Sequence, residues 1–386
     1  MGAPIATPPR RPRVVLAGLG HAHLFVLEAV RAGRLGDIDL VVCTARDRHV
    51  YSGMLPGWLG GRYALDALAF DVPALVASAD GRWIAQDVCA VDTAARTVGL
   101  SDGDTVPYDV CSIAVGSVVA GAATPGVGEV AWPVKPLEQV LAFAARVDAL
   151  AHRGAGHVVV VGGGIAGVEL ALNTRTRVAG TGVTVSLMTH AAQVAAERGT
   201  RVSRLCEQAL TDAGISVWRE VIATAVRADG VLGHRHGEPI AVPADAVVWA
   251  TGAAAPAWLA MGGLPVTRDG YLPVDAALRV VGTDGLFAAG DVATLVEAPA
   301  TPKAGVFAVR MGPHLVESLR HALGQRTAAP AYRPQRRWLS LINVGDGTAI
   351  ASWGPLALRA RWAWHLKDRI DRRFVARFRH HPASTP

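Results

Sequence analysis

The chain has 386 residues, 51% of them apolar, a formal charge of +6 and four cysteines. Its length exceeds one ordinary core and sets two or three domains as the expectation, and no apolar run reaches the ~18 residues of a membrane span. Cys43, Cys89, Cys111 and Cys206 stand far apart with no metal-ligand spacing, which points to free thiols in a reducing compartment and excludes a disulfide framework.

Residues 1–12 are proline-rich and lack the apolar run of a signal peptide, so they read as a disordered lead-in. RVVLAGLGHAHLFVLEAVRAG then reads as a strand over Val14–Ala17, a turn at Gly18 and Gly20, and a helix from about Ala22 to Ala32. In the dinucleotide fingerprint G-x-G-x-x-G, one glycine makes the tight turn and one admits the pyrophosphate. The third lets helix and strand pack closely. His23 stands at that third position, so looser packing is expected there. The next strand is Ile38–Thr44. Thr44 occupies the end where an acid often holds a ribose, with Asp47 just beyond. RHVYSGMLPGWLGGRY (Arg48–Tyr63) is rich in Gly, Pro and aromatics and reads as a loop crossing over a first cofactor.

Residues 84–115 read as short strands around an Asp102-Gly103 turn. The last of them returns to the first sheet and ends at Gly116-Ser117. Glycines and prolines over 120–136 mark a crossing into a second domain, and Ala142–His152 reads as a helix. The stretch that follows, HVVVVGGGIAGVELAL (His157–Leu172), carries the strongest signal in the chain. Four consecutive valines read as a buried parallel strand. Gly162, Gly164 and Gly167 complete the fingerprint, and a helix begins at Val168. Free N–H groups and the dipole at that helix start favour a phosphate.

Val183–His190 is the next strand. It ends in Thr189 and His190, neither acidic nor clearly basic, so the choice between NADH and NADPH stays open. Arg201–Ala213 reads as a helix, ISVWRE and VIATAVRA as strands, Gly233–Gly237 as a turn, and Asp245–Gly252 as a buried strand. Leu286–Ala289 is an apolar strand ending in Gly290-Asp291, where a helix is expected to begin. A carboxylate there either caps that helix or hydrogen-bonds a polyol such as a flavin's ribityl chain.

Near the end, residues 359–380 hold seven Arg and one Lys against two Asp, a surplus equal to the charge of the whole chain. Trp362, Leu366, Ile370, Phe374 and Phe378 recur every four residues and predict one apolar helical stripe. That stripe lies either on an anionic membrane or on the protein's own body or a second copy.

The two fingerprints, the ATG at Ala250–Gly252 and the TDGLFAAGD at Thr283–Asp291 resemble the pyridine nucleotide-disulfide oxidoreductase superfamily. DRHVYSGMLPGWLGG, WPVKPLEQVL, PKAGVFAVRMGP and KDRIDRRFVARF resemble one branch of it, the oxidoreductase fused to the N-terminus of selenide, water dikinase. More distantly the chain is similar to type II NADH dehydrogenases and sulfide:quinone reductases. The resemblance implies an α/β fold of two Rossmann-like dinucleotide-binding domains. Residues 1–122 and 244–328 would form an FAD domain, interrupted by an NAD(P)H domain over 123–243. Residues 329–386 would form a C-terminal interface segment carrying the basic amphipathic helix. It also implies that Gly18 and Gly20 face the FAD pyrophosphate, that Val88 contacts the adenine through its backbone, and that Gly290 and Asp291 bind the ribityl or pyrophosphate region. Gly162, Gly164 and Gly167 would hold NAD(P)H with Glu169 near the nicotinamide, and Lys303 to Phe307 would lie beside the flavin pyrimidine edge.

The cysteine pattern departs from the disulfide reductases, which carry two close cysteines after the first unit. Cys43, Cys89 and Cys111 are expected as buried strand residues. The activity implied is hydride transfer from nicotinamide C4 to flavin N5 and on to a small-molecule acceptor, a quinone or a sulfur or selenium species. Lys303 is the residue singled out to stabilise reduced flavin. Two other readings stand beside it: a redox sensor or scaffold without turnover, and flavin oxygenation of a small substrate. No nucleic-acid partner is expected, and the location expected is cytoplasmic, with peripheral contact at the inner face of the membrane as the alternative.

Overall fold

A computed structural model describes residues 10–379. Of the expected lead-in, residues 1–9 lie outside the described residues, as does His380 at the end of the basic segment.

Two parallel five-stranded sheets organise the chain. The first runs in the order Leu286–Ala288, Val110–Ile113, Arg13–Ala17, Asp39–Cys43, Arg82–Ile84. The second runs Trp132–Pro133, Ala246–Trp249, Ala155–Val161, Gly182–Met188, Ser216–Trp218. Val14 to Leu16 and Val158 to Val160 are completely buried, as continuous apolar runs covered on both faces must be. The outer strand of the first sheet arrives from residues 286–288, after the whole second sheet has been made. Between the sheets the chain crosses at Val118–Val119 and returns at Ala253–Ala254, which pair antiparallel.

The helices, in order, are α1 (His21–Arg31), α2 (Leu55–Leu59), α3 (Val72–Ala77), α4 (Leu137–Arg153), α5 (Ile165–Arg177), α6 (Thr200–Asp212), α7 (Trp258–Met261), α8 (Gly305–Ala322) and α9 (Arg361–Phe378). α1 and α8 cross so closely that a Cβ on Gly312 would lie 2.2 Å from the Phe25 ring. Antiparallel three-stranded sheets follow residue 88, residue 221 and residue 339.

Four local expectations are corrected. The stretch Arg48–Tyr63 is not loop throughout: it holds a short strand at Arg48–Val50 and α2, with Pro56 in the first turn, where a missing N–H costs nothing. The strand Gly230–Arg235 runs through most of the expected 233–237 turn, so the chain reverses only at His236-Gly237. No long helix follows Asp291, because Gly290–Val292 form a single 3-10 turn and Ala293–Leu295 pair with Leu272–Val274 as a strand. The stripe on α9 does not share one face. A spacing of four advances about 40° per step at 3.6 residues per turn, so its ends lie about 160° apart. Trp362 is 54% exposed while Phe378 is buried against Phe25. The buried face is Ala363, Trp364, Lys367, Asp371, Val375 and Phe378.

Candidate functional site

The strand Ala155–Val161 delivers Gly162 to Gly164 into the start of α5. Gly167 lies so close under the turn that a Cβ there would sit 1.8 Å from the Gly162 carbonyl oxygen. That close approach is the reason for a glycine at the third fingerprint position. At Gly164 the same probe meets nothing nearer than a Glu197 carboxylate oxygen at 3.6 Å, so this side is open. Gly164 contributes no side-chain cap, and the first-turn N–H groups of α5 have no partner within the helix.

The first fingerprint is built differently. Gly18 has φ +77° and a Cβ there would press on Val115 at 2.8 Å, while one on Gly20 would meet the Ala114 carbonyl at 2.6 Å. His23, where the third glycine would be, does not loosen the packing as expected. It is fully buried, its Nδ1–H donating to the Gly18 carbonyl (2.8 Å) and its Nε2 accepting from Ser112 Oγ (2.9 Å). Burial holds its pKa down at about 4, so the ring is neutral. A side chain thus ties turn to sheet where a close backbone contact would otherwise do so.

Beside this turn, the His21 and His49 rings meet edge-on at 5.1 Å, with Tyr51 at 5.4 Å from His21. Burial lowers both histidine pKa values, His21 to about 4. Neither Nε2 reaches water or a hydrogen-bond partner among the described residues.

Asp291 accepts from Ser117 Oγ at 2.9 Å and from Lys135 Nζ at 3.0 Å, and Lys135 also donates to Ser117 at 2.6 Å. Burial alone would raise the Asp291 pKa. The ammonium of Lys135 and these hydrogen bonds overcome that and hold it below the ordinary carboxylate range. Asp291 is therefore an ionised, oriented carboxylate and not a helix cap. Gly290 donates its N–H to Met311 Sδ at 3.2 Å. Lys303 donates to the Ala293 carbonyl and to Thr294 Oγ1 (2.8 Å), with its ammonium 4.0 Å from the Tyr271 ring centroid. Burial lowers its pKa to about 8, against the pull of Asp291 and Asp269. Val88 is buried at the start of the strand Val88–Asp92.

Glu169, on α5, accepts the Asn343 N–H at 2.7 Å. Burial raises its pKa to about 7, opposed chiefly by the charge of Lys367. Lys367 of α9 donates to the Gly53 carbonyl and to Asp371, both at 2.7 Å, and Tyr51 donates to the same carboxylate at 3.2 Å. One polar cluster therefore joins α9 to the Tyr51–Gly53 turn, and the charge of its Lys367 acts through space on Glu169 of α5.

The family model described as pyridine nucleotide-disulphide oxidoreductase matches residues 12–318, most of the chain. The chain belongs to the pyridine nucleotide-disulphide oxidoreductase family. A NADH dehydrogenase-like protein of Mycobacterium tuberculosis is 33% identical over 302 residues, covering 73% of this chain and 72% of that one. A demethylphylloquinone reductase of Synechocystis is 26% identical over 91% of this chain and 90% of its own. NDH2 of Plasmodium falciparum, solved in complex with NADH, has the same fold: TM-score 0.78 at 14% identity, over 95% of this chain and 98% of that one.

This member of the pyridine nucleotide-disulphide oxidoreductase family is an NAD(P)H-dependent flavin oxidoreductase, with FAD and NAD(P)H as its cofactors. Its residues fit both groups. The open side of Gly164 suits a phosphate, and the Nε2 atoms of His21, the first residue of α1, and of His49, which have no partner among the described residues, can each bond a polar group of a cofactor. Sequence reasoning missed Ser117, Lys135, His21 and Glu197. Lys135 lies in the WPVKP segment, but nothing local shows that it reaches a carboxylate 156 residues away.

Proposed function

We propose that the protein is an FAD-dependent NAD(P)H:quinone oxidoreductase. In this reading residues 1–122 and 244–328 hold FAD, through Gly18, Gly20, Val88, Gly290, Asp291 and Lys303. Residues 123–243 hold NAD(P)H through Gly162, Gly164 and Gly167, with Glu169 near the nicotinamide. The bound flavin supplies a two-electron carrier between nicotinamide and acceptor. The chain's own part is to seat the two cofactors, to hold Asp291 ionised, and to raise the Glu169 carboxyl so that it exchanges a proton near neutral pH.

The observation that carries the choice of acceptor is the state of the cysteines. All four are free. Cys43 and Cys111 are buried in strands on either side of Arg13–Ala17, and Cys206 is buried in α6. Burial pushes Cys43 up to about 11, Cys206 to about 12 and Cys111 higher still, so these thiols stay protonated and unreactive. Cys89 is exposed on the Val88–Asp92 strand, against the expectation of burial, because its side of that hairpin faces solvent. These cysteines provide no dithiol relay between a bound flavin and its acceptor, and a direct two-electron transfer would suit a quinone. The name of the Synechocystis relative supports the same choice.

The test is anaerobic bleaching of the flavin by NADH or NADPH, followed by addition of menadione. Reoxidation within seconds is expected. If menadione leaves the flavin reduced while polysulfide or selenite reoxidises it, the quinone assignment falls. If no acceptor reoxidises it, the protein is a sensor.

Peripheral membrane contact is a second reading with its own support. Among the described residues no helix is long and apolar enough to cross a membrane. Trp353, Leu356 and Leu358 nonetheless share one face of the last hairpin and are exposed, Leu356 by 65%. Trp362 and Ile370 are exposed on the arginine-rich α9 that follows. Because the opposite face of α9 is core, removing the helix would unfold the protein, so point changes are the proper probe. Binding to anionic liposomes that is lost in Leu356→Ser/Trp362→Ser supports lipid contact. A wild-type protein that stays in the supernatant at low salt excludes it.

A further inference from the structure

The open seat at the start of α5 already has an anion in it. Glu197 Oε1 accepts the N–H of Ile165, the first residue of α5, at 3.1 Å. α5 has no acidic residue in its own first turn, so this carboxylate is brought in from a separate segment, the 3-10 turn Ala196–Arg198. A helix N-terminus stabilises negative charge through its unpaired N–H groups and dipole, whichever group supplies the charge.

The backbone that carries Glu197 is pinned on both sides. Ala195 donates its N–H to the Gly163 carbonyl at 2.7 Å, and it does so with φ +51°, a conformation that non-glycine residues seldom adopt. Val194 and Ala195 are fully buried. On the far side, Arg198 donates to Ser352 Oγ at 3.2 Å and lays its guanidinium 4.5 Å from the Trp338 ring centroid. Arg198 is thereby turned to the C-terminal sheet while the neighbouring Glu197 is turned to the glycine turn. The Glu197 side chain itself is exposed, so it can swing into water without moving this frame.

We propose that Glu197 is an internal anion occupying the pyrophosphate seat of α5, and that NAD(P)H must displace it to bind. This rests on the reading of Gly162, Gly164 and Gly167 as the nicotinamide dinucleotide site. The carboxylate competes with the dinucleotide for the Ile165 N–H and, once displaced, still repels the pyrophosphate from a few ångströms away. Glu197 therefore sets a weaker affinity than the bare fingerprint would give. The same feature keeps free phosphate and other small anions from settling on the site.

The experiment compares holoenzyme with Glu197→Gln and Glu197→Ser. NAD+ is titrated by calorimetry, inorganic pyrophosphate is used as a competing probe, and KM and kcat are measured with NADH. Both variants are expected to bind NAD+ more tightly, with Kd and the KM for NADH each lower by roughly 3- to 10-fold at low ionic strength. Pyrophosphate should compete better against the variants than against the wild type, with flavin content equal to that of the wild type. A Kd that is unchanged or raised in both variants overturns the proposal, a rise showing that Glu197 contacts the dinucleotide favourably. Wild-type protein that neither binds NAD+ nor is bleached by NADH removes the dinucleotide reading itself. Wild-type binding without tightening in the variants removes only the role of Glu197.

Discussion

Glu169→Gln isolates the price of a carboxyl group enclosed beside Asn343. Gln keeps the shape and can still accept the Asn343 N–H, but it never ionises. In the folded protein burial lifts the Glu169 pKa from 4.5 to about 7. Below pH 4.5 the group is protonated in folded and unfolded chains alike, and no penalty exists. Between 4.5 and 7 the unfolded chain ionises while the folded one does not, so stability falls as pH rises. Above 7 the penalty is complete, at most roughly 3 kcal/mol at about 1.4 kcal/mol per tenfold. At about 2 °C per kcal/mol for a chain of this size, the variant should match the wild type near pH 5 and melt up to about 6 °C higher at pH 8. Melting curves of holoenzyme free of nicotinamide, taken from pH 5 to 9, measure the gap. A gap that does not change with pH refutes the reasoning. A variant less stable at pH 8 shows instead that attraction to Lys367 outweighs burial.

Asp291→Ala should weaken FAD binding roughly tenfold, the loss of about one charge-assisted hydrogen bond, read as flavin retained after gel filtration; unchanged flavin content would remove Asp291 from the site. Gly164→Arg should abolish reduction by NAD(P)H yet leave flavin bound and the melting temperature near wild type, because its Cβ enters open space. Gly167→Ala should instead destabilise by about 1–3 kcal/mol or more, since its Cβ collides with backbone; equal melting temperatures for the two would contradict the geometry. Lys367→Met strands the Asp371 carboxylate and should cost about 3–5 kcal/mol, and adding Asp371→Leu should recover most of it. If the double variant melts as early as the single one, the pair is not the cause.

The parallel strands were legible because both their faces are covered: runs such as Val158–Val161 need no alternation to be recognised. α5 was legible from its glycines for the same local reason. α2 was not, because its Gly and Pro content reads as loop, and its glycine is required by a residue outside the helix. A Cβ on Gly57 would lie 2.5 Å from the Tyr63 ring. The α9 stripe misled because a repeat of four looks regular on the page while it winds around the helix. The face chosen by packing is the one that carries Lys367 and Asp371, which no hydrophobic pattern selects. At the site, Gly164 and Asp291 stand in local motifs. Ser117 and Lys135 reach Asp291 across 174 and 156 residues, and Glu197 reaches Ile165 across 32, by tertiary packing that local spacing does not encode.

The late arrival of the Leu286–Ala288 strand has a consequence for synthesis on the ribosome. The strand Arg13–Ala17 emerges early with its glycine turn, but the sheet it belongs to lacks an outer strand until residue 288 is made. α8, whose Gly312 seats Phe25 of α1, comes later still. The second sheet, by contrast, is drawn from residues 132–249 alone and can close while the first waits. The first sheet is therefore begun first and finished last. A nascent chain stalled before Leu286 would carry a complete second sheet and an exposed strand edge where the first remains unfinished.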